Sequence, residues 1–156
     1  MRRSRLQLFA ALTALAVSQP ALAAEGGGTR HITQLKLSDL EGQPASTLDL
    51  APAVPGDAKQ PSISYTAVPR YESKDRKLLA SVKRYAKMTL PLRDWPVDEF
   101  MQLMVGEVEI VDEAGTVTRY RDGDAILIPR GFNGIWRQLT DVEFIAVEYG
   151  ETPPGG

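Results

Sequence analysis

The sequence predicts an all-β fold, a small barrel or jelly roll of about eight short strands preceded by an irregular N-terminal arm. Three observations carry this prediction. From Ile63 onward, short apolar or alternating runs recur at close spacing, as strands of a closed sheet require. Turn signals separate them, among them Asp112 to Gly115 and Asp122-Gly123. The second half also needs no long amphipathic helix. At 156 residues the chain has room for one core and tails.

Arg2, Arg3 and Arg5 precede the apolar run Leu6 to Val17, which ends at Ala21-Leu22-Ala23. This is the pattern of a secretory signal peptide over residues 1–23, and the run is shorter than the roughly 20 apolar residues that span a bilayer. A periplasmic or secreted protein is therefore expected, with no membrane insertion after cleavage. Losing three arginines leaves 15 Lys and Arg against 20 Asp and Glu. Such a net-negative domain repels phosphate backbones, so no nucleic-acid partner is expected. With zero cysteines in the chain, disulfides, thiol catalysis and thiolate metal sites are all excluded.

Residues 24–62 read as a flexible arm and a Pro-rich linker. Ile32, Leu35, Leu37 and Leu40 have mixed spacing, and the prolines at 44, 52, 55 and 61 argue against a regular element between Gly42 and Ser62. The barrel is assigned to residues 63–150. Ile63 to Val68 is a short strand and Pro69 to Lys77 a polar connection. In Leu78 to Leu92 helical composition competes with strand parity, and the neighbouring strands decide for a strand pair. Glu99 to Val105 is apolar on both faces and reads as a strand covered on both sides. Glu107 to Val111 and Thr116 to Tyr120 form a hairpin. Ala125 to Ile128 is a short buried strand, Ile135 to Leu139 and Val142 to Tyr149 close the set, and residues 151–156 form a disordered tail.

Two spaced patterns lie in this barrel. Glu99 is followed after six residues by Gly106, and Gly123 is followed by five residues, Pro129, one residue and Gly131. Physically, Gly123 permits a turn with positive φ, and Pro129 with Gly131 ends the next strand and redirects the chain. Together they resemble the two motifs of the cupins, E-x6-G and G-x5-P-x-G-x2-H-x3-N, over roughly Lys77 to Glu148. The run DEF with G-x-V-x-I-x-D, then GDA-x-x-IP-x-GF-x-G-x-W, looks most like the single-domain branch that includes ureidoglycine aminohydrolase. The resemblance implies a cupin (RmlC-like) jelly roll. It also implies a metal held by two histidines before the glutamate, the glutamate itself and a histidine of the second motif. Here those positions fall on Leu92 to Trp95, Glu99 and Gly134, so three of four ligands are missing. The expectation is no metal or other cofactor, with a divalent metal as the alternative. The chain's single histidine, His31, reads as a solvated arm residue. An oxygen site from Asp94, Asp98 and Glu99 is disfavoured, because Asp98 and Glu99 point to opposite faces of a strand.

Period 2 places Met101 and Leu103 beside an inward Glu99, and Gly134, Trp136 and Gln138 on one face of a later strand. These residues, with Arg93 and Trp95 at the rim, define a candidate binding site for a small polar molecule. Gly134 in place of a histidine empties volume, which Trp136 either fills or borders as a stacking surface. A carboxylate in this interior either has its pKa raised by burial or pairs with a cation such as Arg93, Arg119, Arg121 or Arg137. Asp124 reads as a turn residue. The favoured function is an exported cupin that binds a small polar molecule or is structural. The catalytic alternative is a hydrolase or isomerase, of aminohydrolase or sugar-epimerase type, using Glu99 as acid/base. The resemblance also implies a possible homodimer, with Phe100, Gln102 and Met104 outward unless the arm covers them.

Overall fold

A computed structural model describes residues 31–50 and 61–151 of the chain. The expected signal peptide, residues 24–30 and 51–60 of the expected arm and linker, and all but Glu151 of the expected tail lie outside these residues. Ten strands are described: β1 (Ser46–Leu48), β2 (Ile63–Glu72), β3 (Leu78–Tyr85), β4 (Thr89–Leu92), β5 (Asp98–Val105), β6 (Glu107–Asp112), β7 (Val117–Arg121), β8 (Ala125–Ile128), β9 (Gly134–Gln138) and β10 (Val142–Tyr149). They form two antiparallel sheets, β1-β2-β3-β10-β5-β8 and β4-β9-β6-β7, packed as a jelly-roll sandwich. The predicted all-β jelly roll is the observed fold.

The inner face of the larger sheet is set by register. Leu79, Glu148, Glu99 and Ile128 lie in one row across β3, β10, β5 and β8, and Ser81, Ala146, Met101 and Ile126 form the next. Lys83, Phe144 and Leu103 follow, then Tyr85 and Val142. From Tyr65 on β2, stacked rings run through Tyr85 (5.5 Å) to Phe144 (5.9 Å), and Trp136 of the smaller sheet leans on Phe144 at 6.5 Å. This aromatic series joins the sheets and, with Leu90, Leu92 and Val108, forms the core. Burial of such rings explains why Phe or Trp to Ala changes in cores cost about 3–5 kcal/mol.

Several local expectations are corrected. β2 continues past Val68 to Glu72, and its pairing with β3 slips between Pro69 and Tyr71, which accommodates a residue without an N–H. Ser46–Leu48 pairs with β2 although it lies in the stretch expected to lack regular structure, because the prolines at 44 and 52 flank it rather than interrupt it. β5 is covered on its inner face only: Phe100 is 43% exposed and Met104 37%. β8 likewise alternates, with Leu127 67% exposed while Ile126 and Ile128 are buried.

The arm docks on the outer face of the larger sheet. A 3-10 turn at Leu37–Leu40 contacts β2, β3 and β10. Its Leu40 is buried, as are Ala80 and Val82 on the outward parity of β3, which explains the mixed apolar spacing of the arm. Asp39 fixes the turn, accepting a hydrogen bond from the Lys36 amide at 3.0 Å and pairing with Arg70 at 3.2 Å. The arm covers this side of the sheet and leaves Phe100 and Met104 exposed.

Candidate functional site

Three charged side chains meet inside the barrel. Glu99 on β5 stands directly opposite Glu148 on β10, and Lys83 on β3 lies two rows away on the same inner face. Two rows on one face are four residues along a strand, about 13 Å, a span closed only when the extended lysine side chain and the glutamate side chains lean toward each other. The intervening row holds the small residues Ser81 and Ala146, both buried, which leave room for the lysine stem. Lys83 Nζ accordingly donates to Glu148 Oε1 and lies 3.5 Å from Glu99 Oε1. All three side chains are buried, Glu99 completely at 0% exposure.

The electrostatics follow from this geometry. With Lys83 charged and both carboxylates ionised the cluster carries one net negative charge in an apolar interior, and uptake of one proton makes it neutral. Burial pushes the Glu99 carboxyl up to about 7; the Lys83 ammonium pulls it down, and the Glu148 carboxylate adds to the upward push. For Lys83, burial works against the charge, but Glu148 and then Glu99 outweigh it and hold the ammonium above the usual lysine range. Glu99 Oε2, Ser81 Oγ and Trp95 Nε1 are buried without a hydrogen-bond partner among the described residues. Such atoms are uncommon in folded proteins and mark places where a water, ion or ligand group is accommodated.

The end of the barrel nearest Glu99 is closed by two loops. Ile128 pairs with Glu99, so the chain segments Arg93 to Val97 and Pro129 to Asn133 both meet this end. Backbone hydrogen bonds staple them: the Trp95 amide donates to Phe132 O at 3.0 Å and the Gly131 amide to Trp95 O at 2.7 Å. The Asp94 amide donates to Asn133 Oδ1 at 2.8 Å, and the Arg130 amide to Asp98 Oδ1 at 3.0 Å. Trp95 and Val97 are thereby buried in the core cluster, whereas Arg93 is exposed.

The structure places the predicted site residues as follows. Glu99, Met101 and Leu103 share the inner face of β5, and Gly134, Trp136 and Gln138 that of β9; all are buried. Gly134 does not leave empty volume: a Cβ there would meet Val111 O at 2.4 Å and the Phe132 ring at 2.8 Å. Trp136 is packed within the core, and its Nε1 is 3.1 Å from the Gln138 side-chain oxygen, whose amide nitrogen is 2.9 Å from Ala86 O. With its amide oriented this way, Gln138 accepts from Trp136 and donates to the Ala86 carbonyl. Arg93 and Trp95 are neighbours in sequence but divided between solvent and core.

The expected partner of Glu99 is also corrected. Arg119 and Arg137 pair with Glu109 at 2.6 and 3.1 Å, and Glu109 is held below the usual carboxylate range, first by its hydrogen bond from Arg119. The cation on Glu99 is Lys83. Neither Lys83 nor Glu148 was singled out from the sequence, yet both carry a signal. Each is a charged residue on the inward parity of its strand, in Leu79, Ser81, Lys83, Tyr85 and in Val142, Phe144, Ala146, Glu148. Asp98 and Asp124 instead accept backbone amides, from Arg130 and from Arg121.

A divalent transition metal, which the resemblance implies, does not fit this donor set. Such an ion needs three or more suitable protein donors. Among the described residues no three His, Cys, Asp or Glu side chains gather to hold one. His31 is exposed on the arm, the positions expected for the other ligands hold Leu92 to Trp95 and Gly134, and Glu99 is occupied by an ammonium.

Two antiparallel sheets closing over a glutamate on β5, with motif turns at Gly106, Gly123 and Gly131 all at positive φ, form a jelly roll consistent with a cupin fold. Residues 92–143, a third of the chain, match the family model described as the EutQ-like cupin domain. A Pseudomonas syringae protein of unknown function from the DUF861 family is similar at 19% identity and a TM-score of 0.55, over 67% of this chain and 44% of its own. A putative ethanolamine utilization protein Q from Salmonella typhimurium is 18% identical with a TM-score of 0.49, over 70% of this chain and 98% of its own. The Clostridium difficile EutQ protein is 18% identical with a TM-score of 0.47, over 56% of this chain, and the chain spans 63% of its length. At 19% identity the likeness to the Pseudomonas protein is one of fold. No curated protein matches the sequence.

Proposed function

We propose that this chain is an exported, metal-independent cupin domain that binds a small polar molecule at the Glu99 end of the barrel interior. The observation that supports it is the completely buried Glu99 Oε2, which has no hydrogen-bond partner among the described residues although the same carboxyl group lies against the Lys83 ammonium. A ligand that donates a hydrogen bond satisfies that oxygen; apolar residues of similar volume would fill the interior at lower cost if the cluster served stability alone. Entry requires the stapled loops carrying Trp95 and Phe132 to part. The test is a thermal-shift panel of sugars, amides and amino acids on the full chain. A ligand present at 100 times its Kd stabilises by about 2.7 kcal/mol. The expected hit is lost in Glu99→Leu; a panel without hits, or a hit that Glu99→Leu retains, refutes the reading.

A second reading has its own support. A buried carboxyl pushed up to about 7 is poised as a general acid or base near neutral pH. This is the aminohydrolase-like or epimerase-like alternative, and it is distinguished by turnover: release of ammonia from ureido substrates that is abolished in Glu99→Gln supports it.

We also place self-association on the outer face of β5 and β8. Phe100 pairs directly with Leu127, both exposed, and β8 is the edge of its sheet.

A further inference from the structure

We infer that the barrel carries its own cation: the Lys83 ammonium takes the place on Glu99 that a divalent ion would hold, with Glu148 as the second carboxylate. This does not depend on whether a small molecule binds. The lysine reaches the glutamates across the row of the buried small residues Ser81 and Ala146. Register sets the two carboxylates face to face across β10 and β5, so each needs the positive charge between them. The ammonium lies 3.5 Å from Glu99 Oε1 and in hydrogen-bond contact with Glu148 Oε1, and it is shielded from water on all sides, with a side chain only 4% exposed. A compact, three-donor point charge on a flexible stem is suited to bridging two acceptors that come from different strands. The consequence is a barrel that neither needs nor accepts a metal at Glu99.

Two measurements test this. Untagged full-length protein is incubated with Mn²⁺, Zn²⁺ or Ni²⁺, desalted and assayed for bound metal. Less than about 0.1 equivalent is expected, because three donors of suitable type are lacking. A stoichiometric ion that Glu99→Gln loses overturns the inference. The second is chemical rescue of Lys83→Ala, whose lost atoms correspond to n-propylammonium. The variant is expected to melt about 10 °C lower, and n-propylammonium to restore several degrees where 1-propanol and tetramethylammonium do not. Melting within 2 °C of the wild type, or equal rescue by 1-propanol, overturns the inference. If Lys83→Ala does not fold, the metal assay on the wild type decides alone.

Discussion

Lys83→Met removes the positive charge from the interior while keeping much of the side-chain volume. Glu99 and Glu148 then face each other across the β5/β10 ladder without a cation, both buried. Directly opposite residues have Cβ atoms about 4.5–5.5 Å apart, and two unit charges 4.5 Å apart at an effective dielectric of 20 repel by about 4 kcal/mol. Protonating one carboxyl relieves the repulsion. Holding a group of ordinary value 4.5 protonated at pH 7.5 costs about 4 kcal/mol, at 1.36 kcal/mol per pH unit. The repulsion of about 4 kcal/mol sets the expected loss, within the 3–5 kcal/mol typical of breaking a buried pair. At pH 5 the protonation cost falls below about 1 kcal/mol, so the penalty shrinks as the carboxyls become neutral. Urea unfolding followed by the fluorescence of Trp95 and Trp136, both buried, measures this at pH 5 and pH 8. Replacing the whole cluster, as Lys83→Met with Glu99→Met and Glu148→Leu, is expected to recover stability to within about 1 kcal/mol of the wild type. A single-variant loss below about 1 kcal/mol at pH 8, or one equal at both pH values, refutes the reasoning.

Other expectations follow from the same geometry. In the wild type the native state binds more protons than the unfolded chain between pH 4.5 and about 7, because the Glu99 carboxyl is raised across that range. Stability from this group is therefore full below 4.5 and falls by roughly 3 kcal/mol as pH rises to 7; a flat profile measured by urea unfolding contradicts it. Lys83, raised by its carboxylates, holds its contribution until pH passes the ordinary lysine value and loses it above. Gly134→Ala drives a methyl into Val111 O and the Phe132 ring and is expected to cost about 1–3 kcal/mol in thermal or urea unfolding. Phe100→Glu with Leu127→Lys is expected to convert an oligomer to monomer in analytical ultracentrifugation without lowering the melting temperature, since both side chains are exposed.

The fold was legible because its signals are local. Alternation in Glu99, Met101, Leu103 and in Gly134, Trp136, Gln138 fixed which side chains point inward, and Asp122-Gly123 and Pro129 with Gly131 fixed the turns between strands. Ser46–Leu48 was not legible, because three residues between prolines carry too little pattern and are held by pairing with β2. The site was half legible. Glu99 was recognised as an inward carboxylate, but its partners come from strands 16 and 49 residues away in sequence, and only register brings them together. The arginines weighed as partners sit on outward parity of the other sheet or in exposed loops, where Glu109 takes two of them. A search for charged residues on inward parity, across all strands at once, finds Lys83 and Glu148. The empty volume expected at Gly134 failed for a different reason. Loop residue Phe132, two positions earlier, folds back over it, which strand periodicity does not encode.

The central claim is that the barrel interior is organised by an internal ammonium shared between two carboxylates. Carbon-13 NMR of Lys83 Cε and of the Glu99 and Glu148 carboxyl carbons, followed through pH, tests it most directly. The account predicts that Lys83 remains charged beyond the ordinary lysine range, and that the Glu99 carboxyl titrates with a midpoint near 7 sensed by the carbons of its partners. A Lys83 that loses its proton below the ordinary lysine value, or a Glu99 that titrates near 4.5, contradicts it.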